Sequence, residues 1–249
     1  MISKLKLFFI FTIFQLIILN SYAKSMSNDI QMLIMEQIPY GYITESGEKK
    51  GILYDILENV LISSNIENPV DIIPTKRLVF SMQDKHSKVC TIVANSPDMV
   101  LHDLIEPVGF HLTGGVLPAS GIILDNYASL KNITIAVPLG IMFDEKFHND
   151  DTLKKVRPLN YLNSVKMLKL GRVDAIAGAI PILKFLAKEQ GLKLSSFEKP
   201  LVMIEADMYL TCTKSVKKSI QKRLKSRLIK LKKDGKIQKL IDIYLGEAK

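Results

Sequence analysis

Three segments decide the fold when read in order: Ile30-Gln31-Met32-Leu33-Ile34-Met35, Gly51-Ile52-Leu53-Tyr54-Asp55-Ile56-Leu57-Glu58-Asn59-Val60-Leu61, and Val70-Asp71-Ile72-Ile73. The first is an apolar run of strand length. In the second, Leu53, Ile56, Leu57, Val60 and Leu61 fall at i, i+3, i+4, i+7 and i+8, which is one face of an α-helix beginning near Gly51. The third is another strand. Strand, helix and strand in succession imply a right-handed parallel crossover, the unit of α/β folds. Between them Pro39-Tyr40-Gly41-Tyr42 breaks the first strand into a loop, and Glu45-Ser46-Gly47-Glu48 is a solvated turn.

Outward from this unit, residues 76–82 predict a short helix, and residues 89–94 a third strand ending in the polar loop Asn95-Ser96-Pro97-Asp98. The pattern then restarts. Gly114-Gly115 is expected to interrupt an extended stretch, residues 133–137 form a strand stopped by Pro138-Leu139-Gly140, and Leu162, Val165 and Leu168 mark a helix. Residues 173–177 predict a strand, residues 182–187 a helix closed by Gly191, and residues 208–213 a last extended segment. Two helices close the chain, separated by an Asp234-Gly235 cap. Two α/β units in succession oppose the carboxyl ends of their sheets, and ligands bind in such crevices, so a cleft between two lobes is the expected site.

The composition fits. The 249 residues are 47% hydrophobic and 24% charged, a globular balance that excludes disordered and low-complexity classes. Only two cysteines, Cys90 and Cys212, exclude a disulfide-rich scaffold and multi-cysteine metal patterns. Residues 1–23 read as a secretory signal peptide. Lys4 and Lys6 precede a mostly apolar stretch over residues 7–19, and Ser21-Tyr22-Ala23 supplies small residues for cleavage after Ala23. The rival, a retained anchor, needs about 20 apolar residues. The chain is therefore expected to be exported, with cleavage of this segment. The net charge of +9 is local: residues 214–239 hold 12 Lys or Arg against the single acid Asp234. Ile220, Leu224, Leu228 and Leu231 put those cations on the outer face of an amphipathic helix, either a solvated face or a patch for an anionic membrane or an acidic partner. An exported chain with no aromatics interleaved among the cations is not expected to bind nucleic acid.

Four segments carry a family resemblance. Pro39-Tyr40-Gly41-Tyr42, Gly47 and Gly51-Ile52-Leu53-Tyr54-Asp55-Ile56-Leu57 resemble the opening of extracytoplasmic solute-binding proteins of the polar-amino-acid type, family 3. Ser129-Leu130-Lys131-Asn132-Ile133-Thr134-Ile135-Ala136-Val137 resembles the strand entering their second lobe, and Leu168-Lys169-Leu170-Gly171-Arg172-Val173-Asp174-Ala175-Ile176 resembles their Leu-x-x-Gly-Arg-Val-Asp-Ala element. Lys233-Asp234-Gly235-Lys236-Ile237 with Tyr244-Leu245 resembles their C-terminal helix pair. The resemblance implies a type II periplasmic-binding-protein-like α/β fold with two lobes and a central cleft. Lobe 1 would be discontinuous, residues 24–112 and 208–249, and lobe 2 would be residues 113–207. Cys90 and Cys212 would then share lobe 1, where a bridge and two buried thiols are both open.

The resemblance also implies an arginine after the third strand for a ligand carboxylate and an acid after the Val-Asp-Ala strand for its ammonium. This chain has Asn95-Ser96-Pro97-Asp98-Met99-Val100 and Gly178-Ala179-Ile180 there. A zwitterion left unpaired at both ends would lose several kcal/mol to desolvation, so an ordinary α-amino acid is a poor candidate. Arg77, at a helix start after the second strand, offers a bidentate fork for carboxylate or phosphate; its rival role is a surface salt bridge. Tyr40 and Tyr42 offer aromatic faces, against a packing role. Gly140 and Ile141 offer backbone amides at an expected helix start, against an ordinary turn. Asn95 and Ser96 offer hydrogen bonds, against capping.

Catalytic, metal and cofactor signatures are missing: His86, His102, His111 and His148 lack metal spacing, and no nucleophile elbow, P-loop or dinucleotide motif occurs. The expected function is a monomeric, non-enzymatic periplasmic binding protein. It would capture a small polar or anionic ligand and present it to an ABC-type membrane permease. The alternatives are a dehydratase-like enzyme on the same scaffold, with Glu36 as its carboxylate, and a sensory module docking to a membrane partner.

Overall fold

The computed structural model describes residues 30–95, 102–140 and 143–246; the expected signal peptide, Ser96 and Ile141 lie outside them. Strand β1 (Gln31–Met35) buries Met32, Leu33 and Ile34 because it lies between two parallel neighbours, β4 (Val70–Ile73) and β5 (Val89–Ala94). A strand covered on both faces carries a continuous apolar run rather than an alternation. A small hairpin, β2 (Tyr42–Ile43) and β3 (Lys49–Lys50), leads into helix α1 (Ile52–Ser63), whose buried residues include all five of the periodic apolar positions. Helix α2 (Thr75–Gln83) seats Leu78 and Met82 on the other sheet face, against Leu33 and Val89.

The second half repeats the alternation. Strands β7 (Thr134–Ala136), β8 (Lys154–Val156) and β9 (Ala175–Ala179) are parallel, with helices α3 (Glu145–Asn149), α4 (Tyr161–Lys169) and α5 (Ile180–Glu189) between and after them. Two long antiparallel strands, β6 (His102–Pro118) and β10 (Leu201–Thr213), join the halves into one sheet of order β4-β1-β5-β10-β6-β9-β7-β8. Helices α6 (Lys218–Lys233) and α7 (Lys236–Leu245), with Gly235 left-handed at φ 69 between them, return to the first half.

Three expectations need correction. Gly114 and Gly115 do not interrupt the chain; they lie inside the 17-residue β6. A Cβ on Gly115 would stand 2.1 Å from the Leu201 carbonyl oxygen, so glycine there permits β10 to cross β6 closely. Strand β10 begins at Leu201 rather than Met208, because its first half pairs with the second half of β6. Strand β9 is displaced by two residues, to Ala175–Ala179.

The open question at the cysteines is resolved: Cys90 and Cys212 form a disulfide between register partners on β5 and β10. On α6, Gln221, Leu224, Leu228 and Leu231 are buried and the cations point outward. Three of them are tethered to β6, Lys218 to Asp103 at 2.6 Å and both Lys232 (2.6 Å) and Lys225 (3.3 Å) to Glu106.

Candidate functional site

Strands β1, β4 and β5 run parallel, so Met35, Ile73 and Ala94 end on one edge; β7, β8 and β9 end together on another. Ala94 is level with Met208 on β10, and Ala179 is level with Gly114, whose partner on β10 is Ile204. The two carboxyl edges therefore face each other across about 13 Å of crossing strand, four residue steps, a span that suits a small molecule.

The loops leaving these edges carry the candidate residues. Arg77 stands exposed in the first turn of α2, beyond the end of β4, and makes no ion pair among the described residues. Asn95 leaves β5 with an exposed side chain, and its N–H donates to the Asp207 carbonyl at 3.2 Å. Tyr42 is half-buried with its ring 6.3 Å from Phe185, which in turn lies 6.4 Å from Tyr244. That contact ties the first-half loop to α5.

Tyr40 sits differently from the expectation of an open aromatic face. Only 4% exposed, it meets Phe110 edge-on at 5.8 Å, and its carbonyl accepts from the Leu53 and Tyr54 amides at the start of α1. Burial, together with the neighbouring Tyr161, holds its hydroxyl well above the usual phenol range. Gly140 also needs correction. It occupies an exposed turn at φ 74, and α3 begins only at Glu145 behind the Asp144 cap, so no helix start lies at Gly140.

Reading the sequence missed Tyr161. Its hydroxyl accepts from the Ala179 N–H at 3.2 Å, and its ring fills the space where a Cβ on Gly178 would come within 2.3 Å. Only the Asn160 cap, which accepts from the Asn163 N–H at 2.9 Å, marks its position in advance. His111 and Asp207, paired at 2.7 Å on the crossing strands, were also missed, since 96 positions separate them in the chain. Asp174 accepts from the Thr134 N–H at 2.7 Å and Asp55 from the Tyr244 hydroxyl at 2.6 Å, so both serve the fold. Burial raises the Asp55 carboxyl, against the pull of Tyr244.

Among the described residues no three His, Cys, Asp or Glu side chains gather to hold a metal ion, and no helix is long and apolar enough to cross a membrane. No protein-family profile matches the chain. Over 217 residues it is 24% identical to the "Probable amino-acid-binding protein YxeM" of Bacillus subtilis (strain 168), covering 85% of this chain and 81% of that one. The Lactococcus lactis GlnP substrate binding domain 2, in open conformation, superposes with a TM-score of 0.68 at 17% identity over 89% of this chain and 97% of that domain. In fold the chain is similar to this substrate-binding domain. The P235GK mutant of ArgBP from T. maritima gives a TM-score of 0.61 at 18% identity over 88% and 96% of the two chains. These relatives are named as binding proteins or binding domains, and the chain shares the two-lobed α/β fold of type II.

Proposed function

We propose that this protein is a periplasmic solute-binding protein. It captures a small polar or anionic ligand between residues 24–112 with 208–249 on one side and residues 113–207 on the other, and presents it to an ABC-type membrane permease. The single observation that carries this reading is Arg77, exposed in the first turn of α2 beyond the first carboxyl edge and without an ion pair among the described residues, with a second edge about 13 Å away along β10. An exposed guanidinium without an ion pair among the described residues suits a ligand carboxylate or phosphate. Both proposed boundaries fall inside β6 and β10, where register shifts let the strands bend. That is the place for a hinge. Asn95, Ser96, Tyr42, Gly140 and Ile141 complete the proposed lining.

The test is a thermal-shift and calorimetric screen of the secreted chain against amino acids, organic acids and phosphorylated compounds. A compound at 100 times its Kd should stabilise the fold by about 2.7 kcal/mol. Arg77→Ala should stay folded and lose most of that affinity. Unchanged affinity rejects Arg77. Mass analysis of the secreted chain should place its first residue at Lys24.

A further inference from the structure

Several hydrogen-bond donors between the two halves lack acceptors among the described residues. The Tyr40 hydroxyl is buried and has no hydrogen-bond partner among the described residues, whereas buried polar groups are nearly always paired. The Tyr161 hydroxyl accepts from the Ala179 N–H, and its own proton has no acceptor among the described residues. Helix α5 starts at Ile180 with no side-chain cap and with Pro181 in its first turn. The amides of Ile180 and Ile182 therefore have no acceptor within the helix, and the positive end of its dipole lies there. The Tyr161 hydroxyl stands at the start of α5 through its bond to the Ala179 N–H, and Tyr161 is near enough to Tyr40 to act on its hydroxyl. Tyr40 and Ile182 belong to one buried cluster, against which Tyr161 and Ala179 pack. Burial raises both phenols, so at neutral pH both remain protonated donors.

We propose that this spot, formed by the Tyr40 and Tyr161 hydroxyls and the first turn of α5, seats a carboxylate group of the ligand. The inference rests on the solute-binding reading and names its ligand class, an organic acid. It inverts the polarity of the position after β9, where the family resemblance implies an acid for an ammonium group. A carboxylate supplies the acceptor lone pairs that the hydroxyls and amides lack, and it gains from the helix dipole. An ammonium would meet the unpaired amides and the positive end of the dipole. Because the Tyr40 hydroxyl is covered, the carboxylate enters when α5 moves away from Tyr40 about the crossing strands. Arg77, on the other loop cluster, is available to a second acidic group, which makes short dicarboxylates the natural probes.

The experiment uses the secreted chain and its Tyr40→Phe variant with succinate and glutarate, their neutral diamides, and the diamines putrescine and cadaverine. It also identifies by mass any small molecule that co-purifies. The acids should raise Tm, and the diamides and diamines should not. Tyr40→Phe should weaken acid binding by about tenfold or more. Without ligand it should leave Tm unchanged or higher, since it removes an unpaired buried hydroxyl. A side chain that merely packs would not separate those two readouts. Equal stabilisation by diamides or diamines, a co-purified molecule with no acidic group, or undiminished acid binding in Tyr40→Phe overturns the carboxylate seat and leaves solute binding standing. No stabilisation by any compound in the wider screen, with nothing co-purifying, removes both.

Discussion

Opening the bridge between Cys90 and Cys212 should cost the protein about 5 kcal/mol of stability, because it closes a loop with a sequence separation of 122. Loop-closure entropy grows as the logarithm of loop length, so a link this long restricts the unfolded chain far more than a local one. Both sulfurs are fully buried between β5 and β10, and the two residues are register partners, so the native strands remain paired without the bond. The loss therefore falls mainly on the unfolded state. The assay is urea unfolding of the oxidised chain, of the chain unfolded and refolded under reductant, and of the Cys90→Ala/Cys212→Ala variant. For a chain of this size the expected fall in Tm is about 10 °C or more. The reduced chain keeps its sulfur volume, so it isolates the link from the packing that alanine removes. A loss below about 1 kcal/mol in both forms would refute the reasoning, and with it the pairing of the C-terminal strand against β5.

The tether between α6 and β6 should be pH-dependent. Burial raises the Glu106 carboxyl, but the hydrogen bonds and charges of Lys232 and Lys225 outweigh it and leave the group below the usual carboxylate range. A depressed folded pKa contributes stability above the unfolded value and loses it as pH falls through the folded one. Glu106→Gln should thus be about 2 kcal/mol less stable than wild type at pH 7, and the gap should close below about pH 4 in parallel denaturation curves. A constant gap down to pH 2 would contradict this. Gly115→Ala should unfold or strongly destabilise the protein, because the added methyl meets the Leu201 carbonyl at 2.1 Å; circular dichroism melting at wild-type Tm would show that the strands can separate there.

Much of the fold was legible in local pattern. The spacing of Leu53, Ile56, Leu57, Val60 and Leu61 and the apolar runs at β1, β4 and β5 mark elements whose burial follows from short-range periodicity. The stripe of Leu224, Leu228 and Leu231 likewise puts the basic residues of α6 outward without knowledge of what it packs on. The sequence alone also places Arg77 at a helix start, since Pro74 precedes it and Leu78 and Met82 follow at helical spacing. Periodicity says nothing about partners far along the chain. Tertiary structure inserted β10 between β5 and β6, joined Cys90 to Cys212, carried β6 through Gly114 and Gly115, and turned Tyr40 from an open face into a buried hydroxyl near Tyr161. Each of those outcomes depends on a contact between residues separated by dozens to more than a hundred positions. Such contacts are set by how sheets pair and twist, which a local window of sequence does not contain.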